Sequence, residues 1–89
     1  MSDNETLQAV RDFIQETFLY MKPGYVLGDD DSLIKTNVID SMGVLEVLTF
    51  IEERFGVVPK DEDVTEANLG SPRAIARFVS ARQAGLSAT

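Results

Sequence analysis

The apolar positions of this chain recur at helical spacing in separate stretches. In the first stretch they lie three and four residues apart, on one face of a helix predicted over about residues 4–20. Those positions are Leu7, Val10, Ile14, Phe18 and Met21, with Phe13 and Leu19 beside them. Pro23 and Gly24 stop this helix, because proline lacks a backbone N–H and glycine favours turns.

The second stretch predicts a helix over about residues 41–55. Its apolar positions at helical spacing are Leu45, Leu48, Phe50, Ile51 and Phe55, and Val44 and Val47 add more apolar surface than one stripe requires. Gly56 suits the left-handed position that often follows a helix. A helix this apolar either touches the core broadly or presents apolar surface to a partner.

The remaining pattern predicts a short helix over about residues 64–68 and a last helix over 72–84, which Gly85 ends. Ser71 suits the cap of the last helix, and Pro72 suits its first position. The 89 residues are therefore predicted to form one domain, residues 1–89. Its fold class is all-α: a four-helix bundle with three main helices, one short helix and a long first loop.

That first loop, residues 22–40, is long for a compact domain, and ordered connections of this length tend to be functional. A short helical turn is expected near residues 31–34. The expected anchors to the core are Leu33, Ile34, Val38 and Ile39. Two acidic runs, 29–31 in the loop and 61–63 further on, lack the spacing of a calcium-binding loop, so we expect solvated acids and no metal site.

Composition narrows the possible functions. The net charge is −7, from 15 acidic and 8 basic residues, which disfavours nucleic acid and favours partners with basic patches. The chain has no cysteine, no apolar run near the roughly 20 residues of a membrane span, and no signal-peptide pattern at its start. We expect a cytoplasmic, monomeric protein without a membrane span.

The most informative residue is Ser41, where the second helix is predicted to begin. A helix start offers unbonded N–H groups and a dipole that favour a phosphate. The chain contains no histidine, so no Ser-His pair can activate this serine as a nucleophile. Asp40 and Ser41 both suit the cap, and only one residue can hold that position. If Asp40 holds it, the serine hydroxyl points outward.

The residues around Ser41 resemble the acyl and peptidyl carrier proteins, and the resemblance extends from about residue 31 to residue 79. Val38-Ile39-Asp40-Ser41-Met42 is similar to their attachment signature, and the run from Ile51 to Gly56 is similar to the end of their second helix. The likeness is greatest to stand-alone and D-alanyl carriers. Where these have a glycine, this chain has Asn37, the residue other than glycine that best tolerates a left-handed backbone.

The resemblance implies a carrier and not an enzyme. Ser41, flanked by Asp40 of the signature, would bear a covalent 4′-phosphopantetheine from coenzyme A, attached by a phosphopantetheinyl transferase. An acyl- or aminoacyl-adenylating ligase or a synthase would then use the arm. The implied partner-binding residues are Met42, Val44, Glu46, Glu52 and Glu53. The alternative is an unmodified acidic helical adaptor that binds a partner through its second helix. A small enzyme is disfavoured, since no catalytic dyad is evident.

Overall fold

Helices make up most of the computed structural model, which describes residues 3–22 and 24–88. The main elements are α1 (Asp3–Phe18), α2 (Ser41–Phe55), α3 (Glu66–Leu69) and α4 (Pro72–Ala88), with a 3-10 turn at Asp61–Asp63. The described residues contain no strand. The radius of gyration, 12.5 Å, is close to the roughly 12 Å expected for one compact domain of this length. The predicted all-α four-helix bundle with a long first loop is confirmed.

Helix α1 ends two residues before its predicted end. Val10 and Ile14 are buried as the spacing predicts. The chain turns after Phe18, where the N–H of Lys22 donates to the carbonyl of Leu19 (2.9 Å). Leu19 is thereby buried, whereas Met21 is 76% exposed and does not belong to the core stripe. The predicted stop at Pro23 lies outside the described residues.

Helices α1 and α2 run antiparallel and meet through aromatic side chains. Phe13 of α1 stacks on Phe50 of α2, with ring centroids 4.1 Å apart and planes at 9°. Phe18 and Phe55 meet this pair edge-on from either side, at 5.9 and 5.5 Å. Such pairs add about 0.5–1.5 kcal/mol beyond the area they bury. Within this aromatic row, the stacked pair Phe13–Phe50 joins α2 to α1.

Helix α4 packs against all three other helices. It begins as predicted: Pro72 is its first residue, and the N–H of Ala74 donates to Ser71 Oγ (3.1 Å). It continues to Ala88 and does not end before Gly85. A single helical glycine costs only about 1 kcal/mol relative to alanine, so it need not end a helix.

The first loop is ordered by its own apolar anchors. Leu33, Val38 and Ile39 are buried in the core, as predicted. Ile34 is 43% exposed, so its predicted role as an anchor is wrong. The turn lies slightly later than predicted, over residues 33–37, because Thr36 N–H donates to Ser32 O (3.1 Å).

Helix α3 begins later than predicted. The hydroxyl of Thr65 accepts a hydrogen bond from the N–H of Asn68 (3.2 Å), which places the cap at Thr65 and the first helical residue at Glu66. Val64, predicted to lie in the helix, precedes this cap and is 40% exposed. Across the described part of the chain, none of the helices has the length and apolar character needed to cross a membrane.

Candidate functional site

Asp40 is the residue that caps α2. Its backbone is extended, with φ −100° and ψ −176°, and its Oδ1 accepts a hydrogen bond from the N–H of Gly43 (2.8 Å). The Asp40 carbonyl also accepts from Val44 N–H (3.2 Å). The choice that the sequence left open between Asp40 and Ser41 is therefore decided in favour of Asp40.

Ser41 is the first residue of α2 and is exposed. Its hydroxyl forms no hydrogen bond with any of the described residues, because the side chain that caps the helix is that of Asp40. The backbone N–H groups of Ser41 and Met42 likewise have no partner there. The hydroxyl therefore stands in solvent beside two available donors at the positive end of a helix dipole, an arrangement that suits a phosphate ester.

The loop before Ser41 is held in place by a small set of backbone contacts. The carbonyl of Leu33 accepts hydrogen bonds from both Val38 and Ile39 N–H groups, each at 3.0 Å. The N–H of Leu33 donates to the carbonyl of Gly70 (2.8 Å), which joins the loop to the end of α3. Asn37 has φ 60°, so the left-handed turn that its identity predicts is present. These contacts set the path by which the chain enters α2.

A cluster of ion pairs ties the same loop to α1 and α4. Arg11 lies 2.6 Å from Asp29, and its guanidinium donates to the carbonyl of Leu27 (2.8 Å). Arg73 lies 2.8 Å from Asp30 and 3.4 Å from Asp29. The expectation of solvated acids is wrong for Asp29, which arginines from two helices approach, whereas Asp30 and Asp31 are exposed to solvent. We call Arg11, Asp29, Asp30 and Arg73 the loop clasp.

The second acidic run also has a structural role. Asp63 is only 8% exposed and accepts from the backbone N–H of Lys60 (2.9 Å) and from Arg82 (2.6 Å). The Lys60 N–H, followed by the Arg82 guanidinium, lowers the pKa of the Asp63 carboxyl, and its burial opposes them. Asp63 therefore stays ionised and connects the segment before α3 to α4. It was predicted to be solvated, and its partner is 19 positions away along the chain.

Most of the predicted partner-binding residues share one exposed side of α2. This exposed α2 face consists of Ser41, Met42, Leu45, Glu46, Thr49, Glu52 and Glu53, all exposed and all within an arc of about 140° around the helix. Met42 and Leu45 are 70% and 57% exposed, which is unusual for such apolar side chains. For Leu45, the sequence left open whether its apolar side chain meets the core or a partner, and the structure exposes it.

Val44 lies on a different side of α2 from Met42. It is half-buried and lines an apolar pocket of about 180 Å³ between the first loop, α2 and α3. The other apolar lining residues are Leu33, Ile34, Ile39, Val47, Val64 and Leu69. A cavity of about 150 Å³ accepts a molecule the size of benzene, so this pocket has room for a small apolar group. The only sequence signal for it was the excess of apolar residues on α2.

The described residues hold no cluster of three or more His, Cys, Asp or Glu side chains that could bind a metal ion. The group that the resemblance to carrier proteins implies is covalent, so the requirement is an accessible hydroxyl with free space and no competing hydrogen bond. Ser41 meets this requirement, and the residues present therefore fit a phosphopantetheine arm.

No protein-family model matches this chain, and no curated protein shows significant similarity to it.

Proposed function

We propose that this protein is a cytoplasmic acyl carrier protein whose arm is attached at Ser41. The observation that carries the proposal is that Asp40, and not Ser41, caps α2. Asp40 caps the helix, and Ser41 is left exposed with its hydroxyl unused among the described residues. A serine needed only for capping would instead accept a backbone N–H, as Ser71 does.

The proposed attachment step needs no catalytic residue on this chain. Within a phosphopantetheinyl transferase, Ser41 Oγ attacks the β-phosphorus of coenzyme A. The new O–P bond forms as the bond to adenosine 3′,5′-bisphosphate breaks, and the hydroxyl proton passes to a base of the transferase. When bound, the arm supplies a thiol that holds an acyl or aminoacyl group as a thioester. The unbonded N–H groups of Ser41 and Met42 are placed to stabilise the phosphodiester.

The exposed α2 face is the proposed docking surface for the enzymes that attach and load the arm. Its carboxylates, Glu46, Glu52 and Glu53, favour partners with basic surfaces, while Met42 and Leu45 offer an apolar centre close to Ser41. Methionine suits surfaces that meet more than one partner, because its side chain is flexible and polarizable. A transferase and a ligase or synthase could thus use the same face in turn.

The apolar pocket beside Val44 supports a carrier more than an adaptor. It lies on the same helix as Ser41 but on another side, and its lining is mainly aliphatic. An aliphatic pocket of about 180 Å³ offers a contact surface for the apolar end of a small cargo. We therefore favour a short acyl cargo over a charged aminoacyl one.

The alternative function, an unmodified adaptor, draws on the same exposed α2 face, since Met42 and Leu45 are apolar and exposed. The two functions differ in what happens to Ser41. Intact-mass spectrometry before and after incubation with coenzyme A and a broad-range phosphopantetheinyl transferase separates them. A carrier gains the mass of one phosphopantetheine group. An unchanged mass contradicts the carrier proposal and favours the adaptor.

A further inference from the structure

Gly43 occupies the first turn of α2, where glycine is an unfavourable choice for a helix. It is buried, and it lies two residues after Ser41. Its backbone φ is not left-handed, so the glycine is not needed for an unusual backbone conformation. The space around its Cα provides a different reason for a glycine at this position.

That space is filled by two side chains. A Cβ added at Gly43 would lie 2.8 Å from Ile39 Cγ2 and 3.0 Å from Phe18 Cε1. Carbon atoms in favourable contact lie about 3.5–4.0 Å apart, so an added methyl group would have to move by several tenths of an ångström. The missing side chain thus lets the first turn of α2 approach α1 and the end of the first loop closely.

Both neighbours are held by other contacts, although Ile39 also borders the apolar pocket and Phe18 is only half-buried. Ile39 is 3% exposed, and its backbone N–H is bonded to the carbonyl of Leu33 (3.0 Å). Phe18 belongs to the aromatic row and meets Phe13 edge-on at 5.9 Å. Packed interiors transmit such strain and do not absorb it locally. A side chain at position 43 would therefore displace the start of α2, and Ser41 with it.

We propose that Gly43 is a positioning residue for the modification of Ser41. This inference rests on the carrier function proposed above. Because it has no side chain, Gly43 lets the first turn of α2 pack closely on Phe18 and Ile39. That contact fixes the position of the Ser41 hydroxyl relative to the rest of the exposed α2 face. A transferase that docks on this face would then meet the hydroxyl at one defined position, which reaction with coenzyme A requires.

The test compares Gly43→Ala with the wild type in steady-state loading by the transferase, with the carrier as the varied substrate. We expect kcat to fall about tenfold, because a misplacement of around 1 Å can cost about 100-fold and the shift here is smaller. KM should change less than twofold, since the variant keeps every side chain of the exposed α2 face. The matched control is Gly24→Ala, where an added Cβ meets nothing within 4 Å. Its rate should equal that of the wild type.

A second-site variant separates positioning from general damage. Ile39→Leu keeps the side-chain volume but moves the branch away from Cβ, which removes the atom closest to position 43. Gly43→Ala/Ile39→Leu should therefore recover most of kcat. It also serves as the folded comparator if Gly43→Ala alone does not fold. In two-dimensional NMR, the amide signals of Ser41 and Met42 should move in Gly43→Ala and return in the double variant.

The outcomes distinguish this inference from the proposed function. Modification of Gly43→Ala at the wild-type kcat overturns the positioning role and leaves the carrier function standing. A folded double variant that is as slow as Gly43→Ala, with Ser41 and Met42 amide signals at their wild-type positions, also overturns it, because the loss would then not come from a displaced helix start. Failure of the wild type to take up the arm overturns the carrier function, and the inference falls with it.

Discussion

Asp40 and Ser41 are adjacent, and both suit the start of a helix, yet the structure gives them separate tasks. The carboxylate of Asp40 accepts a hydrogen bond from the N–H of Gly43, so the hydroxyl of Ser41 is not required to stabilise the start of the helix. In α4, by contrast, Ser71 both precedes the helix and caps it. The chemistry proposed for Ser41 therefore depends on its neighbour as much as on the serine itself.

Because Asp40 caps α2 and Ser41 does not, alanine variants at these two positions should differ in stability. Asp40→Ala should lose about 0.5–2 kcal/mol of unfolding free energy, because the cap is lost. Ser41→Ala should stay within about 0.5 kcal/mol of the wild type, as exposed substitutions usually do. Urea unfolding followed by circular dichroism measures both, with Asp40→Asn as a control that keeps a capping side chain. If Ser41→Ala is destabilised as much as Asp40→Ala, the assignment of the cap is wrong.

Asp63 gives a prediction about acid stability. Its pKa is lower in the folded protein than in the unfolded chain, so its stabilising effect is present above the unfolded pKa of about 3.9 and is lost as pH falls through the folded pKa. The melting temperature of Asp63→Asn should therefore lie below that of the wild type by a constant amount above about pH 5. The gap should narrow on further acidification.

The matched control for Asp63 is Asp61→Asn, since Asp61 is an exposed acid of the same turn with no ion pair to the described residues. Thermal melts of all three proteins between about pH 2 and pH 7 give the comparison. A wild-type advantage over Asp63→Asn that grows as the pH falls would contradict the account of the Asp63–Arg82 pair.

At the scale of elements, helix ends with strong local signals were predictable from sequence. Both ends of α2 agree with prediction, because Asp40 and Gly56 each fix a boundary through their own backbone and side chain. Gly56 has φ 70°, and its N–H bonds to Glu52 O (3.0 Å). The end of α1 was not predictable, since Leu19 is apolar whether the helix continues or the chain turns inward.

The orientation of α2 about its axis could be predicted only in part from the sequence. Its apolar residues occur almost all round the helix, so the pattern cannot show which side is buried. The contact of Gly43 with Phe18 and Ile39 decides this, and those residues lie on other elements. It turns Val47 and Ile51 inward and leaves Leu45 exposed. The exposure of the α2 glutamates was predicted from the sequence. The exposure of Leu45 and the half-buried position of Val44 became clear only from the packing.

Reversing charge on the exposed α2 face should slow the loading of the arm. Glu46→Lys/Glu53→Lys removes two carboxylates from that face, so the association rate with a basic partner should fall. An exposed ion pair between one glutamate and a basic residue of the partner contributes only about 0.2–1 kcal/mol. A double variant is therefore a clearer test than a single reversal. Stopped-flow or steady-state loading rates at low salt provide the measurement.

The control for charge reversal is Asp61→Lys/Glu62→Lys, which makes the same change in net charge on an exposed turn away from α2. Circular dichroism should show that both variants remain helical. If the two double variants lose the same loading rate, net charge alone steers the partner. The exposed α2 face would then have no specific role in docking, although Ser41 could still be the attachment site.

For the molecule as a whole, excess negative charge opposes folding. The net charge of −7 is spread over a domain with a radius of gyration of 12.5 Å, so many like charges lie within two Debye lengths of one another at 0.15 M salt. The loop clasp and the Asp63–Arg82 pair offset part of this repulsion locally. These long-range pairs join residues 18 or more positions apart, which is why sequence alone could not pair them.

The melting temperature should therefore rise as sodium chloride is added from low concentration to about 0.15 M, where the Debye length is about 8 Å. Screening weakens both the repulsion and the ion pairs. The pairs are partly exposed and individually weak, so relief of repulsion should prevail. Differential scanning calorimetry at several salt concentrations tests this. A melting temperature that falls with salt would show that the ion pairs outweigh the repulsion.

The most direct test of the central claim is to locate the added group after incubation with coenzyme A and a phosphopantetheinyl transferase. Tandem mass spectrometry of the wild type should place one phosphopantetheine on Ser41. Ser41→Ala should gain none, and Ser71→Ala, a matched serine at another helix start, should be modified like the wild type. A group found on any other residue, or on Ser41→Ala, would contradict the claim that Ser41 is the carrier site of this bundle.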